Sequence, residues 1–215
     1  MSTARHVFDN LDSTSRQRVE ALVAAARDFG RRGWTPATSG NYSVRLEDGR
    51  IAVTRSGADK RHLEPDDLLL LNEEGVPESG VRSSAETPLH LQIYQHKPDV
   101  RAVLHVHSPA VTVASRLAVG QHRIRFHNYE LLKAFSGVDT HDIEIDLPVV
   151  ANDQDMTRLA AAAEPLLTNT NPCPAYLIAG HGVYTWGEDV AEATRHLEAI
   201  DFLLNCYLLE QNVKP

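Results

Sequence analysis

Cysteine is scarce in this chain of 215 residues: Cys173 and Cys206 stand 33 positions apart, and neither sits in a Cys-x-x-Cys spacing. Two such thiols make no disulfide framework and are expected to be packed. Long apolar runs are missing too. No stretch approaches the roughly 18 consecutive apolar residues that span a bilayer, and the N-terminus has no apolar signal core. A cytoplasmic chain with no membrane partner is therefore expected. Positive charge is also short, with 21 Lys and Arg against 29 Asp and Glu and a net charge of −8. Basic residues cluster only at Arg31-Arg32 and Lys60-Arg61, which argues against nucleic acid as a partner and leaves a phosphorylated small molecule open. Repeats, low-complexity tracts and linkers are absent. At 42% hydrophobic residues, the composition suits one compact domain over 1–215, with its core from about 15 to 210.

What the chain has in quantity is histidine, eleven in all. His6, His62, His96, His122, His141 and His196 lie in polar surroundings that need no functional account. His105-Val106-His107-Ser108 differs, because it follows the apolar, β-branched run Val100 to Leu104. Alternate residues of a strand share a face, so His105 and His107 look into one space. Ser108-Pro109 then opens a helix, Ser as N-cap and Pro in the first turn. His181, in Gly180-His181-Gly182, is a candidate third ligand. Three neutral imidazoles around one Zn²⁺, with a position left open, make a catalytic rather than a structural site. The same residues also read as two half-buried strand histidines and a third in an unrelated turn.

Helices are expected over Ser15–Phe29, from Ser83 to about His96, from Pro109 to about Val119, over Tyr129–Phe135 and Asp155–Leu167, and from Asp189 to Glu210. Strands are expected over Tyr42–Leu46, Ile51–Thr54, Asp67–Leu71, Arg123–Phe126 and Asp142–Val150, with two pieces inside Ala175–Tyr184. Asp48-Gly49 is a hairpin signal. Turn-rich stretches lie at Glu73–Gly80 and Asn169–Pro174. Strands joined by hairpins and mixed with helices predict an α/β fold, a three-layer α/β/α domain around a mixed, mostly antiparallel sheet. A doubly wound fold fits less well, since no G-x-G-x-x-G follows a strand.

Three segments are composed to hold a phosphate: Thr38-Ser39-Gly40-Asn41, Ser56-Gly57-Ala58-Asp59-Lys60 and Ser83-Ser84-Ala85-Glu86. Their glycines let the backbone come close, their hydroxyls donate, and a helix N-terminus adds partial positive charge. Each alone is also an ordinary turn. Glu86 has two readings as well. Ser83-x-x-Glu86 is a capping box, or Glu86 is a carboxylate beside the metal, a ligand or a general base.

Taken in order, these segments, extended through Ser84-Ala85-Glu86-Thr87-Pro88-Leu89-His90, Ala102 to Ser108 and Gly180 to Gly187, resemble the class II aldolase/adducin family over residues 15 to 210. Ser-Ala-Glu-Thr, His-Gly-Val-Tyr-Thr-Trp-Gly and Tyr129-Glu130-Leu131-Leu132-Lys133 look most like its zinc lyases that dehydrate a sugar phosphate of methionine salvage. The resemblance implies one zinc per subunit on His105, His107 and His181, and a substrate phosphate near Asn41, Ser56, Gly57 and Ser84. It implies acid/base roles for Glu86, as in the family's aldolases, and for Glu130, as in its dehydratases. A homotetramer with sites near subunit interfaces is implied too. Ala85 departs from the aldolase pattern, where a second Ser stands, and removes one hydroxyl from the phosphate site. Glu130 also reads as a solvated residue at a helix N-terminus. An aldolase or epimerase acting on fuculose- or ribulose-type phosphates is the alternative, and a non-catalytic adducin-like scaffold the more distant one.

Overall fold

The computed structural model describes residues 10–72, 75–78, 80–81, 83–168 and 172–213; His6, parts of the 73–80 stretch and residues 169–171 lie outside them. Eight strands are β1 (Asn41–Arg45), β2 (Ile51–Thr54), β3 (Leu68–Leu71), β4 (Ala102–Val106), β5 (Arg123–His127), β6 (Glu144–Val150), β7 (Ala175–Ile178) and β8 (Gly182–Gly187). They form one sheet in the order β3-β2-β1-β4-β8-β7-β6-β5. Every adjacent pair is antiparallel except β6 and β7. The helices are α1 (Ser13–Arg31), α2 (Thr87–His96), α3 (Pro109–Ala118), α4 (Met156–Leu167) and α5 (Val190–Val213). None of them is long and apolar enough to cross a membrane.

Period-two alternation divides the sheet between two cores. Tyr42, Val44, Ala102, Leu104, Val106 and Val183 point to the side covered by α1, α3 and α5. Ile51, Val53, Val103, Tyr176, Tyr184 and Trp186 point to the side covered by α2 and α4. The three-layer α/β/α arrangement with a mostly antiparallel sheet is therefore as expected. Both cysteines are free thiols, Cys173 buried and Cys206 partly so.

Two expected helices differ. The segment after β5 is a 3₁₀ helix over Glu130–Ala134, because a run this short, closed by Ser136-Gly137, does not sustain α-helical propagation. The helix expected from Ser83 begins at Thr87 instead, with Pro88 in its first turn. No capping box forms there: the Glu86 N–H donates to Ser84 Oγ at 3.3 Å, and the Glu86 side chain turns elsewhere.

Candidate metal centre

His105 is the penultimate residue of β4 and fully buried; His107 lies one step past the strand on the same side. The His107 N–H donates to the Trp34 carbonyl at 2.9 Å, and Ser108 caps α3 by accepting from the Val111 N–H at 3.2 Å. Strand alternation and an N-cap thus set both rings, as the sequence implied. His181 occupies the tight turn from β7 to β8, its N–H bonded to the Ile178 carbonyl at 3.0 Å. Gly182 is required beside it. A Cβ there would fall 2.4 Å from the Val106 carbonyl oxygen and 2.6 Å from His105 Cε1.

The three rings converge, with centroids 4.6, 5.1 and 4.7 Å apart. One potential ligand atom from each lies within 4.8 Å of the others. His105 Nδ1 is 2.9 Å from the Val183 carbonyl, so it carries the proton and leaves the Nε2 lone pair facing inward. His107 Nε2 sits 2.8 Å from His105 Nε2. Burial pushes the pKa of His105 down to about 4 and that of His107 to about 3. Buried, neutral, convergent imidazoles are the donor set a divalent transition metal takes, and these residues fit one. Tyr184 stacks on His105 at 4.2 Å between centroids and fixes its plane.

Glu86 closes the fourth side. Its Oε1 is 3.0 Å from His181 Nε2 and its Oε2 3.6 Å from His105 Nε2. The Asn41 amide donates to Oε2 at 2.5 Å. Burial alone would raise this carboxyl; the hydrogen bond with His181, the neighbouring imidazoles and the Asn41 amide together hold it well below the usual carboxylate range.

Two hollows meet at Glu86 and His107. One, of about 300 Å³, is lined by Thr38, Asn41, Ser56, Gly57, Lys60 and Ser84 among others, and so gathers the residues chosen for phosphate. The Asn41 side chain, however, is engaged by Glu86 and by His90. Lys60 ends the Ser56–Lys60 segment read as a phosphate loop, but the resemblance assigns it no role of its own. It is 2% exposed, donates to the Thr38 carbonyl at 2.8 Å, and is pushed down to about 8 by burial. The second hollow, of about 530 Å³, adds Thr112, Asn152 and Gln154. Asn152 and Gln154 follow the C-terminal end of β6, and no sequence signal marks them.

The structure does not bring Glu130 to this cluster within one chain. β4, β7 and β6 run in one direction and β5 in the other. The turn after β5 therefore lies at the opposite end of the sheet from the C-terminus of β4. It is also four strands away, about 19 Å at ordinary strand spacing. Glu130 is 73% exposed there, paired with Lys133 and 3.8 Å from His141.

A mixed sheet between helical layers carries three histidines and a carboxylate at one end of its central strands, a donor set that could hold a metal ion. The model of the class II aldolase and adducin N-terminal domain matches residues 20–208, and the chain belongs to that family. Relatives include the methylthioribulose-1-phosphate dehydratase of Methylococcus capsulatus, 48% identical over 94% of this chain and 98% of that one. The enzyme of the same name from Parvibaculum lavamentivorans is 46% identical over 92% and 96%. Among solved structures, the L-fuculose-1-phosphate aldolase of Thermus thermophilus superposes with a TM-score of 0.72 at 25% identity, covering 93% of this chain and 99% of that one.

Proposed function

We propose that the protein is a zinc-dependent hydro-lyase of methionine salvage. Its reaction is the dehydration of 5-methylthioribulose 1-phosphate to 2,3-diketo-5-methylthiopentyl 1-phosphate. The observation that carries this reading is the meeting of His105, His107, His181 and Glu86 on the shared wall of two hollows, in a chain similar along nearly its whole length to dehydratases of that name. A zinc ion on the three imidazoles would supply Lewis acidity for the negative charge that builds when the carbon next to the ketone loses its proton.

The chain's own groups do the rest. Ser56, Gly57 and Ser84 receive the phosphate, and Lys60 adds the one buried ammonium of that hollow among the described residues. Anchoring the phosphate fixes C3 at the wall formed by Glu86 and His107, which turns remote binding energy into alignment. A carboxylate takes the C3 proton. The bond from C4 to its hydroxyl breaks, the hydroxyl leaves with a proton as water, and the resulting enol becomes the second ketone. Within the chain this role falls to Glu86, which lies 3.0 Å from His181 on the wall of both hollows. Glu130 reaches such a site only from a second copy, which accords with a cytoplasmic homotetramer whose subunits share their sites.

Purified protein incubated with methylthioribulose 1-phosphate, and separately with fuculose 1-phosphate and ribulose 5-phosphate, tests the reading. Water loss from the first substrate, abolished by chelator, is expected. Turnover of the other two alone would make the protein an aldolase or epimerase, since the same fold and metal serve carbon-carbon cleavage.

A further inference from the structure

Polar side chains of β1 and α2 interlock in a single file that ends at Glu86. On β1, Asn41, Ser43 and Arg45 share the face turned to α2, as alternate strand residues do. Along the helix, Glu86 at the N-cap, His90 and Tyr94 recur every four residues and share the face turned to β1. The two sets alternate. Asn41 Nδ2 donates to Glu86 at 2.5 Å, Asn41 Oδ1 meets His90 Nε2 in a short contact, and His90 Nδ1 lies 2.7 Å from Ser43 Oγ. Ser43 Oγ is 2.9 Å from the Tyr94 hydroxyl, and the Arg45 guanidinium lies over the Tyr94 ring, 4.8 Å from its centroid. Asn41, Ser43, His90 and Tyr94 are all buried.

One end fixes every donor in the file. An ionised carboxylate only accepts, so Asn41 turns its NH₂ to Glu86 and its carbonyl to His90. That carbonyl only accepts in turn, so His90 carries its proton on Nε2 and offers a lone pair at Nδ1. The Ser43 hydroxyl then donates to Nδ1, and the Tyr94 hydroxyl donates to Ser43. All four bonds point toward Glu86, a direction in which each polarises the next. Were the Asn41 amide to turn over, its carbonyl would face the carboxylate and drive it from the histidines.

We propose that His90 is a positioning residue for Glu86: its Nε2–H locks the Asn41 amide, and the locked amide holds the carboxylate against His181 and His105. The inference rests on the reading of Glu86 as the group that moves the proton, and it deepens that reading by two residues that touch neither substrate nor metal ligand: His90 and Ser43.

The tautomer is read without substrate or metal. In ¹⁵N spectra of histidine-labelled apoprotein, the signals missing from His90→Gln identify His90, and a neutral ring protonated at Nε2 is expected at pH 7. Kinetically, His90→Leu should lower kcat by about tenfold or more, as loss of a supporting hydrogen bond at a metal site does. KM should stay within about twofold and zinc content should not change. His90→Gln, whose amide nitrogen can still donate to Asn41, should recover most of the loss. In a Glu86→Gln background, His90→Leu should cost nothing further, because both changes act through one carboxylate. An Nδ1–H tautomer, wild-type kcat in folded His90→Leu, or an undiminished further loss in the Glu86→Gln background overturns the proposal. Should His90→Leu fail to fold, the tautomer and His90→Gln decide. Absence of dehydratase turnover in the wild-type chain would instead refute the proposed function, and the tautomer would still report on His90.

Discussion

β1 and β5 carry the same pattern and put it to opposite use. In Asn41-Tyr42-Ser43-Val44-Arg45 and in Arg123-Ile124-Arg125-Phe126-His127, polar residues take the odd positions and apolar ones the even. β1 lies inside the sheet with α2 over its polar face, so Asn41 and Ser43 are buried and each has defined partners. β5 is one of the sheet's two edge strands, its polar residues are exposed, and Arg125 pairs with Asp146 and Glu144 in solvent. A polar side chain gains chemical direction when burial removes water as the competing partner. The covered strand therefore feeds the cluster of Glu86 and the three histidines, while the edge strand carries surface pairs.

The largest expected effect removes a ligand. His107→Ala should lose its metal and more than about 100-fold of turnover, since three donors are the minimum such a site keeps. Metal analysis and far-UV circular dichroism on the same sample check it: a folded, metal-free, inactive protein is expected. Retained zinc with full turnover would remove the three histidines from the site.

Next in size is the division between the two carboxylates. Glu86→Gln and Glu130→Gln are each expected to cost on the order of 10²-fold or more in kcat, the usual worth of a positioned acid/base. Because Glu130 lies at the far end of its own sheet, activity should partly return when subunits carrying Glu130→Gln and His107→Ala are unfolded and refolded together. In the proposed tetramer, mixed assemblies would then hold some sites with both groups intact. No recovery, with Glu130→Gln fully active on its own, would leave Glu86 as the sole base and place Glu130 with the surface pairs of the β5 edge.

Most of the architecture was legible because it follows local rules. His105 and His107 on one face come from strand alternation, the start of α3 comes from Ser108-Pro109, and the mostly antiparallel sheet follows from hairpin signals. What sequence could not weigh was competition for a side chain. Ser83-x-x-Glu86 satisfies the spacing of a capping box, yet Asn41, 45 positions earlier, and His181, 95 positions later, take the carboxylate. His90, a bystander in the Ser84–His90 segment, acquires its place only when β1 lies against α2. Lys60, Asn152 and Gln154 line the hollows through loops whose meeting no local period encodes. Glu130 shows the converse: its segment reads like a site, but chain direction carries it away from the triad of its own subunit.

A smaller effect belongs to pH. Burial lowers His90 to about 4, and lowers His105 to about 4 and His107 to about 3, against an ordinary value of 6.5. A depressed folded-state pKa means that the unfolded chain takes up protons first as the pH falls below about 6.5. Stability is then fully present above 6.5 and is lost as the pH drops toward 4. For His90 alone the loss approaches about 3 kcal/mol. Urea midpoints of the chelated protein between pH 7.5 and 4.5 should fall accordingly. His90→Gln, with no group to titrate there, should show a shallower slope, and an equal slope would place the loss elsewhere.

The smallest effects test the two strands directly. Ser43→Ala leaves His90 Nδ1 and the Tyr94 hydroxyl buried with their shared partner removed, which should cost about 1–3 kcal/mol. Arg125→Ala cuts exposed ion pairs to Asp146 and Glu144 and should cost clearly less than Ser43→Ala, an effect that shrinks further as salt screens the pair in the parent. Both remove one polar group from an odd position of a five-residue strand, so intrinsic β-propensity does not separate them. Chemical denaturation of the two variants at low and high salt does. A Ser43→Ala cost that matched Arg125→Ala and fell with salt would mean that the file between β1 and α2 is as loosely held as the edge, and that Glu86 keeps its place beside the histidines by other means.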